Sequence, residues 1–168
     1  MTWRCVLLFL VLTSFTGCKF KTYDLADEWF PLETISERPE MLAKDTISTT
    51  IGNTLYVEKL STFWARNPEG TAQFIGLMKH EQEHSKRQFK VGVGAWLARY
   101  IVDRDFMWEE EQRGYYLALT HPGYSYQPEQ VALNMSNYRN AAGQKMVDFD
   151  KALRWVLDVR SGQWKPKD

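Results

Sequence analysis

Between residues 72 and 88 the apolar positions recur with a helical period. Successive residues placed 100° apart put Phe74, Leu77, Met78, Glu81, His84 and Ser85 on one side, with His80 at its edge. Lys79, Gln82, Glu83 and Lys86 fall on the other. Glu83 stands four residues from both Lys79 and Arg87, the spacing of a solvated, ion-paired face. Asn67-Pro68-Glu69 reads as the start of this helix: a capping side chain, proline at the first helical position and an acid in the first turn. The helix is predicted to run to about Gln88.

Ahead of it, Thr46 to Leu60 is rich in Ile, Thr, Val and Tyr around Gly52-Asn53, which predicts a β-hairpin. Beyond Gly92 and Gly94 the pattern predicts a short apolar helix over 95–102 and another over 106–119, ended by His121-Pro122-Gly123. Gln127-Pro128-Glu129 opens a helix to about Tyr138. A last helix is predicted from Gly143 or Gln144 through Val159, with the stripe Met146, Phe149, Leu153, Val156 and Leu157. Lys19 to Lys44 carries Pro31 and Pro39 without a clear period and is expected to be a tether with short helical pieces. The expected fold class is mainly α (α+β), with one small hairpin.

The start of the chain follows a different logic. Arg4 precedes the apolar run Cys5 to Leu12, and small and polar residues lead to Gly17-Cys18. The run is far shorter than the roughly 20 residues needed to span a bilayer, so it reads as an export signal. Phe15-Thr16-Gly17-Cys18 resembles a bacterial lipobox, with Phe15 where leucine is usual. That resemblance implies a signal peptide over 1–17, lipidation of Cys18 and membrane attachment through the lipid anchor. Lys19 after the cysteine, by resemblance to Gram-negative sorting, implies the outer membrane, with the chain in the cell envelope facing the periplasm.

Composition narrows the function. The chain has 168 residues, 44% hydrophobic and 14% aromatic, enough to bury a core. Its 21 Lys+Arg balance 21 Asp+Glu, and no basic run exists for phosphates, so no nucleic-acid partner is expected.

One constellation carries chemistry. His80-Glu81-Gln82-Glu83-His84 is HExxH, and shuffling this composition yields that pattern in roughly one sequence in 400. Histidines four apart on a helix share a face and can reach one zinc ion. Glu81 can instead take a proton from zinc-bound water and pass it to a leaving group. Glu81 also falls inside the apolar stripe, where an unpartnered carboxylate costs several kcal/mol, and a metal with its water would be its partner. A catalytic zinc usually has three protein ligands, so a third is needed. The residues available are His121 and the acids Glu109, Glu110 and Glu111 on the following helix.

From the hairpin to about Tyr138 the chain resembles small gluzincin-type zinc metallopeptidases. The likeness rests on the hairpin TTIGNTLYVEKL, the helix GLMKHEQEHSKRQ, the segment WLARYIV and the helix EEEQRGYYLAL. Glu111-Gln112-Arg113-Gly114-Tyr115 matches the family's ExxAY element, with Gly114 in place of alanine and Arg113 where an acid is common. The resemblance implies a minimal zincin-like domain over 45–168, joined by the tether 18–44 to the anchor. It implies zinc on His80, His84 and Glu111, with Glu110 the next choice for the third ligand. It implies Glu81 as the catalytic base and Tyr115 (or Tyr116) steadying the oxyanion. The expected activity is hydrolysis of a peptide or protein substrate. The alternative is a non-catalytic envelope lipoprotein with structural zinc or none, which a fourth ligand such as His121 would favour.

Overall fold

A computed structural model describes residues 21–41 and 48–166. The export signal, Cys18 and Lys19 lie outside the described residues, as do Thr46 and Ile47 of the hairpin segment.

The hairpin forms as expected. Strands β3 (Ser48–Ile51) and β4 (Thr54–Val57) pair antiparallel about Gly52-Asn53, with Ile51 opposite Thr54. The segment expected to be a tether is instead part of the fold. It supplies β1 (Thr22–Asp24) and β2 (Thr34–Glu37), and β2 pairs in parallel with β4, with Ile35 opposite Leu55. β1 and β2 are antiparallel, and the sheet order is β1-β2-β4-β3, which leaves β3 at an edge. Strands of three and four residues are too short to display a period. The buried Leu32 and Ile35 hold the segment in place, packing with Leu55, Val57, Phe63, Phe74 and Met78 in one apolar core.

Among the described residues six α-helices follow: α1 (Leu60–Arg66), α2 (Ala72–Val91), α3 (Val93–Val102), α4 (Arg104–Leu119), α5 (Pro128–Asn137) and α6 (Phe149–Arg160). The chain is thus mainly helical with a small sheet, the expected α+β class. No helix among the described residues is long and apolar enough to cross a membrane. α1 was not visible in the pattern, and its presence reassigns Asn67. The Asn67 side chain donates to the Phe63 carbonyl and closes α1 (3.0 Å). Thr71 caps α2 instead, its hydroxyl accepting from the Phe74 N–H at 3.2 Å. Gly92 ends α2 at φ 98°, a left-handed turn that lets α3 start at once.

The last helix begins five or six residues later than expected, capped by Asp148, which accepts from the Lys151 N–H. Its buried face is Ala152, Trp155, Val156 and Val159. Phe149 and Leu157 of the expected stripe are exposed, and Met146 is buried ahead of the helix. Starting the wheel too early rotated the stripe. α4, α5 and α6 close a second core around Met107, Trp108, Met135 and Trp155. Helices α2 and α4 lie between the two cores. Their contacts run in opposite order (Arg87 with Glu110, His84 with Glu111, His80 with Gly114), so they are antiparallel.

Candidate metal centre

The spacing of four on α2 brings the two histidines together, with their Nε2 atoms 2.9 Å apart. α4 brings Glu111 to the same point. Its Oε2 lies 3.6 Å from His80 Nε2 and its Oε1 3.4 Å from His84 Nε2. One ligand atom from each of the three residues falls within 4.8 Å of the others, and all three side chains are buried. Two imidazole nitrogens and a carboxylate are a metal-ion donor set, and tetrahedral ligands at about 2.0–2.1 Å from an ion stand roughly 3.4 Å from one another. Glu111 Oε2 is buried with no hydrogen-bond partner. Such an atom costs about 1–3 kcal/mol or more, which a bound cation would offset. The residues therefore fit a metal ion.

Electrostatics couple the three groups. Burial disfavours the charged form of His84, but the hydrogen bond and charge of Glu111 outweigh it and raise the imidazole to about 9. Burial and the charge of His84 push His80 down. Burial raises Glu111, but the bond and charge of His84 prevail and hold its carboxyl below the usual range.

The glycine at position 114 has a steric cause. A Cβ there would stand 2.9 Å from the His80 ring, closer than such contacts allow. Its absence lets α4 press onto the imidazole. Tyr115 packs edge-on to the other side of the site, its ring 4.7 Å from that of His80. Burial and the Glu111 charge raise its hydroxyl, which stays protonated and shares a hydrogen bond with Tyr138.

Glu110 does not face the histidines. It is buried and takes a two-pronged bond from Arg87, at 2.6 and 3.1 Å. Arg87 therefore turns toward α4 rather than toward Glu83. His121 stands 3.3 Å from Lys79 Nζ, apart from the metal cluster. Tyr116 packs on Trp164 in the second core and takes no part in the site.

Glu81 is buried, and its protein partners lie on β3. The Thr50 hydroxyl donates to Oε2 at 2.6 Å and the Ser48 hydroxyl to Oε1 at 3.3 Å. The same face of α2 fastens to β3 and the turn after it through two more side chains. Ser85 donates to the Gly52 carbonyl at 2.6 Å. Gln88 donates to the Thr50 carbonyl at 2.8 Å and accepts from the Gly52 N–H at 2.7 Å. β-Branched residues ahead of Gly52-Asn53 mark a strand, but give no sign that the Thr50 hydroxyl meets a glutamate 31 residues on. Tyr100 stands on α3. It reaches the site directly, its hydroxyl donating to Glu111 Oε1. Tyr138 carries no sequence signal beyond being aromatic.

No family model matches the chain, and no curated protein or solved structure matches it either.

Proposed function

We propose that this chain is a zinc-dependent hydrolase of peptide bonds, held at the cell envelope by a lipid on Cys18. The observation that supports it most is the convergence of His80, His84 and Glu111, with the Glu81 carboxylate on the adjoining residue. Zinc bound by those three would supply Lewis acidity and make water acidic enough to ionise near neutral pH.

The chain's own residues then have distinct tasks. Glu81 is fixed against β3 by two hydroxyls, yet each carboxylate oxygen keeps a second lone pair. It accepts the proton of the attacking water and returns it to the departing amine. Tyr115 remains a donor and offers its proton to the carbonyl oxygen as negative charge gathers there. Three protein ligands leave a position for substrate, as in catalytic rather than structural zinc sites.

The test is metal analysis of the purified full-length chain, followed by incubation of the zinc-loaded protein with a mixed peptide library. One zinc per chain and chelator-sensitive cleavage are expected. Zinc without cleavage would move the assignment to a non-catalytic envelope lipoprotein. No zinc would remove the site. The anchor is tested separately: Cys18→Ala is expected to release the chain from membranes or leave an uncleaved precursor.

A further inference from the structure

The two oxygens of Glu111 have different surroundings. Oε1 accepts from the Tyr100 hydroxyl, whereas Oε2 is buried without a hydrogen-bond partner. The Tyr100 ring is itself held. It stacks on Trp96 at 4.6 Å and 13°, and Trp96 stands edge-on to His84 at 5.7 Å. Trp96 is buried, so the stack cannot swing away without opening the interior. Helix α3, which contributes none of the three ligands, thus contacts two of them, one through a hydroxyl and one through a ring.

We propose that Tyr100 is a positioning residue of the metal centre: its hydroxyl, held by the ring stack, bonds Oε1 of Glu111 and fixes the turn of the carboxylate, so that Oε2 is the oxygen presented to the ion. This rests on the zinc reading above. A carboxylate freed from that bond can turn and offer both oxygens, which raises the coordination number and fills the position a substrate needs. Partners that orient metal ligands in this way typically change affinity by about 10–100-fold.

Tyr100→Phe isolates the effect, because it keeps the ring stacked on Trp96 and removes only the hydroxyl. The full-length chain and the variant would be titrated with zinc against a chromophoric chelator, then loaded with cobalt(II) for visible absorption. Four-coordinate cobalt absorbs more strongly than five-coordinate cobalt, so the spectrum reads ligand number directly. The expected result is zinc affinity about 10–100-fold weaker in Tyr100→Phe, with a loss of cobalt absorbance. Trp96→Phe, which keeps the hydroxyl, is expected to retain the parent spectrum. Equal affinity and equal spectra in the parent and Tyr100→Phe would overturn this inference and leave the zinc site standing. An altered spectrum in Trp96→Phe alone would assign the positioning to ring packing and overturn it too. A parent chain that takes up neither metal would overturn the zinc reading and this inference with it.

Discussion

The imidazole of His80 lies against the bare α-carbon of Gly114, where any side chain would meet the ring at 2.9 Å. Glycine inside an exposed helix usually costs about 0.5–1 kcal/mol relative to alanine. Here that cost admits the close approach of α4 to α2, and with it the delivery of Glu111 three residues earlier. Gly114→Ala is therefore expected to act against its helix propensity. It should displace the His80 ring, lower stability by about 1–3 kcal/mol through overpacking, and weaken zinc binding. Thermal melts of the metal-free protein and a zinc titration read the two effects separately.

The three proposed ligands make unequal predictions from their neighbours. His84→Ala should abolish zinc uptake, and Glu111→Gln should reduce it sharply. Glu109→Gln should leave it unchanged, because Glu109 is exposed. Glu110→Gln should retain zinc yet lose stability, because it weakens a buried ion pair with Arg87 and leaves a charge poorly compensated. Metal content per chain, measured beside the unfolding midpoint, distinguishes these outcomes. Full zinc occupancy in Glu111→Gln would place the third ligand elsewhere.

The metal-free protein should respond to pH through His84 and Glu111. His84 is raised from 6.5 to about 9. Its contribution to stability is complete below about 6.5 and is lost as pH rises through about 9. Glu111 is held below 4.5, so its contribution is present above that value and disappears as pH falls through the folded-state value. The chelator-treated protein should accordingly be destabilised by the loss of this pair on both sides of neutrality. Zinc must displace the His84 proton, so affinity should rise with pH up to about 9. Calorimetry of zinc binding at pH 7 in two buffers of different ionisation enthalpy would report the released proton. Equal heats in both would contradict a protonated His84.

A further prediction concerns the seam between α2 and β3. Gln88 is fully buried and its amide serves both the Thr50 carbonyl and the Gly52 N–H. Gln88→Leu strands both backbone groups, at about 1–3 kcal/mol each. The variant should unfold at lower denaturant concentration while keeping its zinc, since the Gln88 side chain bonds to Thr50 and Gly52 and not to a ligand.

Much of this site was legible in the sequence, and the reasons are local. His80 and His84 share a helical face by spacing alone, whereas Glu111 was singled out from the neighbouring acids and His121 only through the resemblance of EEEQRGYYLAL to a family element. The hairpin about Gly52-Asn53 and the helices α3, α4 and α5 carry their own turn and capping signals. What escaped depends on contacts distant in sequence. β2 is a strand because Ile35 meets Leu55 across a parallel ladder, and nothing in PLETISERPE repeats often enough to announce it. Asn67 is a good cap for either of two helices, and only the presence of α1 decides between them. The partner of Glu81 lies on β3, out of reach of any helical wheel.

That last contact sharpens the test of the proposed chemistry. Glu81→Gln keeps the size of the side chain and an oxygen able to accept from Thr50 or Ser48. Its amide N–H₂ can donate to whichever hydroxyl turns to accept, so the link to β3 survives. The change also removes an ionised group from a buried position, where desolvation is unfavourable. Stability is thus expected to stay within about 1 kcal/mol of the parent or to rise slightly. Zinc content should be unchanged, because Glu81 is not among the three converging ligands. Only the basic oxygen is lost. If peptide hydrolysis depends on this carboxylate to accept the proton of water, its rate should fall by about 10²–10⁴-fold. Comparing cleavage by the zinc-loaded parent and variant at equal metal content checks this directly. Equal rates would show that Glu81 serves the α2–β3 contact rather than catalysis.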